Sequence, residues 1–225
     1  DYDLQPFENK LIEREFIVPT SFTNYPNTEF ALPSLMNMMY LDKVVVGMEN
    51  NSRDFQVTHQ ILRINNVMKI FKANDYDIIT FFGGMGNSYN TQLVDEKLCG
   101  FGGFNPDLTK NFVLTYLPVS YFNEVLLENH SREKLECVFK TFEDNSFNDN
   151  SKPKFVLSHL RLPHEPFVYD ENGNSVENKD EYDKSAYLSQ LKFAETKILE
   201  IIDTIQSHSP NAVIIIFSDH GYRGD

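Results

Sequence analysis

The feature that most restricts the fold is the stretch Ala-Val-Ile-Ile-Ile-Phe-Ser at 212–218. A strand with one wet face alternates apolar and polar residues, whereas an unbroken apolar run predicts a strand buried on both faces. Ahead of it, Tyr187, Leu188, Leu191, Ala194, Ile198, Leu199, Ile201, Ile202 and Ile205 recur at 3.6-residue spacing and predict a long helix ended by Ser-Pro-Asn. FIVP at 16–19, DIITFF at 77–82 and KFVLSHL at 154–160 read as further strands. Strands separated by long helices predict an α/β protein, a layered α/β/α sandwich around a largely parallel sheet. In such folds ligands sit at the carboxyl ends of the strands.

Between these anchors the chain reads as helix at 4–15, with Phe7, Leu11 and Ile12 on one face, and again at 31–41, with Pro33 in the first turn. A single long helix is expected over 52–74, a mostly helical stretch over 107–127 with a break at Pro118, and a helix over 131–142 capped by Ser131. Residues 143–153 and the segment RLPHEPFVYDENGN after 160 read as loops. No repeat or linker divides the chain, so residues 1–225 are expected to form one domain.

With 41% hydrophobic and 24% charged residues, the composition is that of a globular protein rather than a disordered one. No apolar run approaches the roughly 18–20 residues of a membrane span. The net charge of -13 disfavours nucleic acid as a partner, because neutralising phosphates needs a basic face. An acidic surface suits cations, and it repels an anionic substrate unless a metal reverses the local field. The two cysteines, Cys99 and Cys137, are too few for a disulfide scaffold, and nothing in the sequence brings them together; pairing is open to them only if the domain is extracytoplasmic, and the sequence does not decide it. The chain opens with the polar DYDLQPFENK, which is no leader, so either it has none or it begins inside a longer product.

Three clusters carry residues able to do chemistry. Ser218-Asp219-His220-Gly221 follows the last apolar run, and adjacent Asp and His are ligands suited to zinc or manganese, while Gly221 allows a tight turn. His159 and His164 fall in SHLRLPHEPF, where Pro163 and Pro166 stiffen the loop around His164. Thr28, in NYPNTEFALPSLMN, precedes a helix whose amino end would stabilise a phosphate oxygen or an alkoxide. Taken singly, these also read as a polar turn, surface histidines and a capping threonine. The glycine-rich FFGGMGNSYN at 81–90 lacks the GK[ST] of a phosphate-binding loop.

Together and in this order, the three clusters resemble the alkaline phosphatase-like superfamily, on its sulfatase-like and phospholipid-headgroup (phosphoethanolamine, glycerol-phosphate) transferase side. The resemblance implies Asp219, His220 and Thr28 as metal ligands. It implies Thr28 as nucleophile, His164 as a second catalytic group, and His159 with His164 as substrate-binding residues. It further implies a divalent metal, zinc or manganese, and a phosphate-ester substrate, with a lipid headgroup as one candidate. The Cys-x-Pro-x-Arg of formylglycine sulfatases is missing, so phosphate is expected ahead of sulfate. The family's earlier strand ending in an acidic ligand has no counterpart before the helix at 4–15; the nearest acids are Asp1 and Asp3. The resemblance therefore implies a catalytic domain incomplete at both ends. The piece itself is expected to be inactive and to hold metal weakly or not at all. The intact protein is expected to be extracytoplasmic and anchored to a membrane through segments outside this chain. The other reading is a non-catalytic domain that keeps the fold with an incomplete metal site. The resemblance also predicts that Thr28, His164, Asp219 and His220 converge at one end of the sheet.

Overall fold

The computed structural model describes residues 2–44, 55–81, 92–99, 120–148, 152–178 and 183–222. In chain order its elements are α1 (Gln5–Ile12), α2 (Thr28–Asn37), α3 (Gln56–Arg63), α4 (Asn66–Ala73), β1 (Asp77–Phe81), β2 (Glu96–Leu98), α5 (Ser120–Asp144), β3 (Lys154–Leu157), β4 (Phe167–Tyr169), β5 (Ser175–Asn178) and α6 (Lys184–His208). They form two compact units, each stitched from separated segments, which is why the sequence shows no linker. One unit comprises Asp1–Phe7, Cys99–Phe147 and Leu160–Asn211; the other comprises Glu8–Leu98, Asn148–His159 and Ala212–Asp225.

The second of these, the sheet unit, is mixed α/β. Its parallel sheet has the order β2-β1-β3, with Ile79 opposite Glu96 on one side and Val156 on the other. The central β1 is buried from Ile78 to Phe81, as its apolar run predicts. A core of Leu32, Met36, Leu62, Met68 and Ile78 joins α2, α3 and α4 to it, and the rings of Phe71 and Phe155 stack with centroids 4.4 Å apart. Asp95 locks the entry to β2 onto β1. Its N–H donates to the Ile78 carbonyl (2.9 Å), and its carboxylate accepts from the Ile78 N–H (2.7 Å) and from Lys72.

Several expectations are corrected in this unit. The helix expected over 52–74 is two helices. Asn65, fully buried between them, accepts from the Met68 N–H and donates to the Leu62 carbonyl, both at 2.8 Å, and so caps the start of one and the end of the other. Pro33 lies inside α2 rather than in its first turn, because the helix already starts at Thr28. Residues 16–19 form no strand, and Ile17 is 90% exposed; Pro19 has no N–H to give a ladder. The largest correction concerns residues 212–218, which join no ladder and leave Val213 88% and Ile215 78% exposed. An apolar run states what cover a strand wants; it supplies neither the neighbouring strand nor the covering layer.

The other unit packs α5 and α6 with an antiparallel hairpin, β4–β5, through Leu135, Val168, Tyr169 and Phe193. The predicted second long helix is α6, capped by the Asp183 carboxylate, which accepts from the N–H groups of Ser185 and Ala186. The hairpin has its first strand and its turn where the sequence reads as loop. Its turn is held by Asp170 Oδ1, which accepts from the N–H groups of Asn172 (2.9 Å) and Asn174 (2.8 Å), and Gly173 takes the left-handed conformation at φ 82°. The Asn174 side chain, with these backbone donors, holds the Asp170 carboxyl below the usual range. Ser131 is no cap, since it lies within α5, which runs on to Asp144 and delays the loop expected from 143. Residues 107–119, with Pro118, and the glycine-rich segment from 82 to 90 lie outside the described residues. Cys99 and Cys137 form a disulfide, Cα to Cα 5.7 Å, tying the residue after β2 to α5. No helix among the described residues is long and apolar enough to cross a membrane.

Candidate functional site

Thr28 is the first residue of α2, and the extended backbone of Asn27 delivers it there. The Asn27 carbonyl takes the N–H groups of Phe30 and Ala31, the first bonds of the helix. The Asn27 side chain makes no capping bond, and its Oδ1 is buried without a hydrogen bond. Thr28 thus sits at the positive end of a helix dipole.

Asp219 meets it from the far end of the chain, as the Thr28 hydroxyl donates to Asp219 Oδ2 across a separation of 191 residues. Asp219 is held in a tight turn, in which its Oδ1 accepts from the His220 N–H (3.0 Å) and Ser218 Oγ donates to the His220 carbonyl (2.6 Å). The His220 ring is oriented by the same turn. Its Nδ1 lies 2.8 Å from the Gly221 carbonyl, which only accepts, so Nδ1 is the donor there and Nε2 is the nitrogen left to face Asp219. That Nε2 is 3.7 Å from Asp219 Oδ2, and both side chains are mostly shielded from solvent. A hydroxyl, a carboxylate and an imidazole nitrogen therefore meet in the sheet unit.

The two other expected residues fall on either side of a unit boundary. His159 lies two residues beyond β3, in the sheet unit. His164 belongs to the other unit, in the loop leading into β4. Its Nδ1 lies 2.7 Å from the Glu165 carbonyl and 3.0 Å from both the Glu165 carboxylate and Arg161 Nη2, and Arg161 Nη2 donates to the same carbonyl at 3.2 Å. That loop is pinned by Gln190, whose Nε2 donates to the His164 carbonyl (3.0 Å) and whose Oε1 accepts from the N–H groups of Val168 and Tyr169. Gln190 was missed in the sequence, although a glutamine on the buried stripe of α6 is itself a signal. Thr23 was missed as well: its hydroxyl lies against the Asp219 carbonyl, a contact that no local pattern announces.

The sulfatase family model matches residues 3–225. The chain belongs to the sulfatase family. This sulfatase-family chain is thereby placed in the alkaline phosphatase-like superfamily, and membership points to hydrolase or esterase-like chemistry. No curated protein and no solved structure matches it.

Sulfatase-family enzymes generally use a divalent metal. The chemistry of the donors that meet fits such an ion: the Asp219 carboxylate and the His220 imidazole are ligand types for zinc or manganese, and the Thr28 hydroxyl lies against that carboxylate. The set is short of acids, since no group of three or more His, Cys, Asp or Glu placed to hold a metal occurs among the described residues. Of the acids noted near the start, Asp3 accepts from the Gln5 N–H at the head of α1, and Asp1 lies outside the described residues.

Proposed function

We propose that this chain carries the nucleophile and part of the metal site of a phosphoric-ester hydrolase or transferase. Thr28 is the nucleophile, and Asp219, His220 and Thr28 are the metal ligands. The observation that carries this reading is the contact between the Thr28 hydroxyl and Asp219 Oδ2, with His220 Nε2 beside it. A bound divalent metal would lower the pKa of the threonine hydroxyl, which is a poor nucleophile at its free value. Thr28 Oγ1 attacks phosphorus, the bond to the leaving alcohol breaks, and a phosphothreonine remains. Water or an acceptor alcohol then attacks phosphorus and returns Thr28, so hydrolase and transferase differ in the acceptor alone. The resemblance assigns His164 and His159 to the substrate, to bind a non-bridging oxygen or to help the leaving group.

Phosphate is favoured over sulfate by the missing Cys-x-Pro-x-Arg nucleophile motif, and a lipid headgroup is one candidate ester. The Cys99–Cys137 disulfide supports an extracytoplasmic location, because such bonds persist in oxidising compartments. Membrane attachment would come through segments outside this chain. The second reading, a non-catalytic domain keeping the sulfatase-like fold, is favoured by the shortage of acidic ligands among the described residues.

The test is turnover of aryl phosphate and aryl sulfate by the full-length protein with added manganese or zinc. The enzyme reading expects phosphate turnover to fall at least roughly a thousandfold in Thr28→Ala. It also expects mass spectrometry to find phosphate on Thr28. A well-folded protein that turns over neither ester nor any phospholipid, and never labels Thr28, supports the non-catalytic reading instead.

A further inference from the structure

The loop before α2 is fastened to Asp219 twice. At one end Thr28 meets the carboxylate; at the other, Thr23 Oγ1 lies 2.5 Å from the Asp219 carbonyl and 2.8 Å from the Tyr25 carbonyl, the shorter contact being to Asp219. The loop is itself anchored to α2 and the residues after it. Asn24 Nδ2 donates to Ser34 Oγ (3.1 Å), the Tyr25 hydroxyl accepts from the Leu41 N–H (2.7 Å), and the Tyr25 ring lies 6.0 Å from that of Phe30. From its own side Asp219 is held only by the local turn with Ser218 and His220, because residues 212–218 join no ladder. Its backbone is therefore placed by what grips it from outside, and Thr23 grips the peptide oxygen from which the side-chain direction follows.

We propose that Thr23 is a positioning residue, holding the Asp219 backbone so that its carboxylate faces Thr28 and a bound cation. This rests on the assignment of Asp219 as a metal ligand. A hydrogen bond behind a ligand commonly changes metal affinity by roughly tenfold or more when removed. Thr23 is exposed, so removing its hydroxyl leaves the fold in place.

The experiment is titration of manganese alone into the full-length protein, followed by electron paramagnetic resonance, for the parent, Thr23→Val, Thr23→Ser and Asp219→Ala, with a thermal melt of each. The expectation is roughly tenfold weaker manganese binding in Thr23→Val, recovery in Thr23→Ser, and loss in Asp219→Ala, with unchanged melting of both Thr23 variants. Parental affinity in Thr23→Val beside loss in Asp219→Ala overturns the positioning role alone, as does failure of serine to restore binding. Parental affinity in Asp219→Ala overturns the metal assignment, and the inference falls with it.

Discussion

Gln190 uses its whole amide inside the protein, joining the His164 carbonyl to the N–H groups of Val168 and Tyr169 while fully buried. Leucine there would fit the apolar stripe and strand three backbone groups, each costing about 1–3 kcal/mol if left unpaired. Gln190→Leu is therefore expected to destabilise by about 3 kcal/mol or more, read as a lower urea midpoint. Asp95 offers a pH test. Burial by itself would raise its carboxyl, but the Ile78 N–H and the Lys72 ammonium together hold it below the usual range. A depressed carboxyl stabilises the fold above its unfolded-state value, near about 4, and that contribution is lost as pH falls through the lower folded value. The side chain is 38% exposed, so solvent screens the pair and the effect is at most about 1 kcal/mol. Asp95→Asn should be less stable than the parent at pH 7, and urea melts at pH 3 should bring the two together.

At the scale of elements, Asn65 separates two helices that apolar spacing alone would fuse. Asn65→Ala removes a cap bond and leaves the Leu62 carbonyl short of a donor, at a cost of about 2 kcal/mol by chemical denaturation. The break was illegible because Ile64 and Val67 continue the helical period through it, and a buried asparagine looks like any polar residue until its partners are known. β1, β3 and α6 were legible because their patterns are long or uninterrupted and their environment agrees. The hairpin β4–β5 was not, since a strand of three residues beside two prolines carries too little pattern. The run at 212–218 failed in the opposite way: its pattern is strong, but a ladder is a property of two strands. Of the site, the ordered motifs gave Thr28, Asp219 and His220, which the fold brings together. Thr23 contacts backbone atoms and residue type leaves no trace of that, whereas Gln190 shows only as a polar residue on an apolar stripe.

For the whole molecule, the disulfide is the one covalent tie between distant segments seen among the described residues. Cys99 and Cys137 are 38 residues apart, a closure that restricts the unfolded chain by about 4 kcal/mol. Reduction is expected to lower the thermal midpoint by several degrees, checked by calorimetry with and without reductant. The connectivity has a different kind of consequence. The chain passes between its two units after Phe7, Leu98, Phe147, His159 and Asn211, so no contiguous stretch of gene encodes either one. Thr28 and Asp219 are touching partners although 191 residues separate them. A single recombination crossover between them would give Thr28 one parent and Asp219 another. The pair is inherited intact only when the whole stretch between them travels with it, and that stretch carries most of both units.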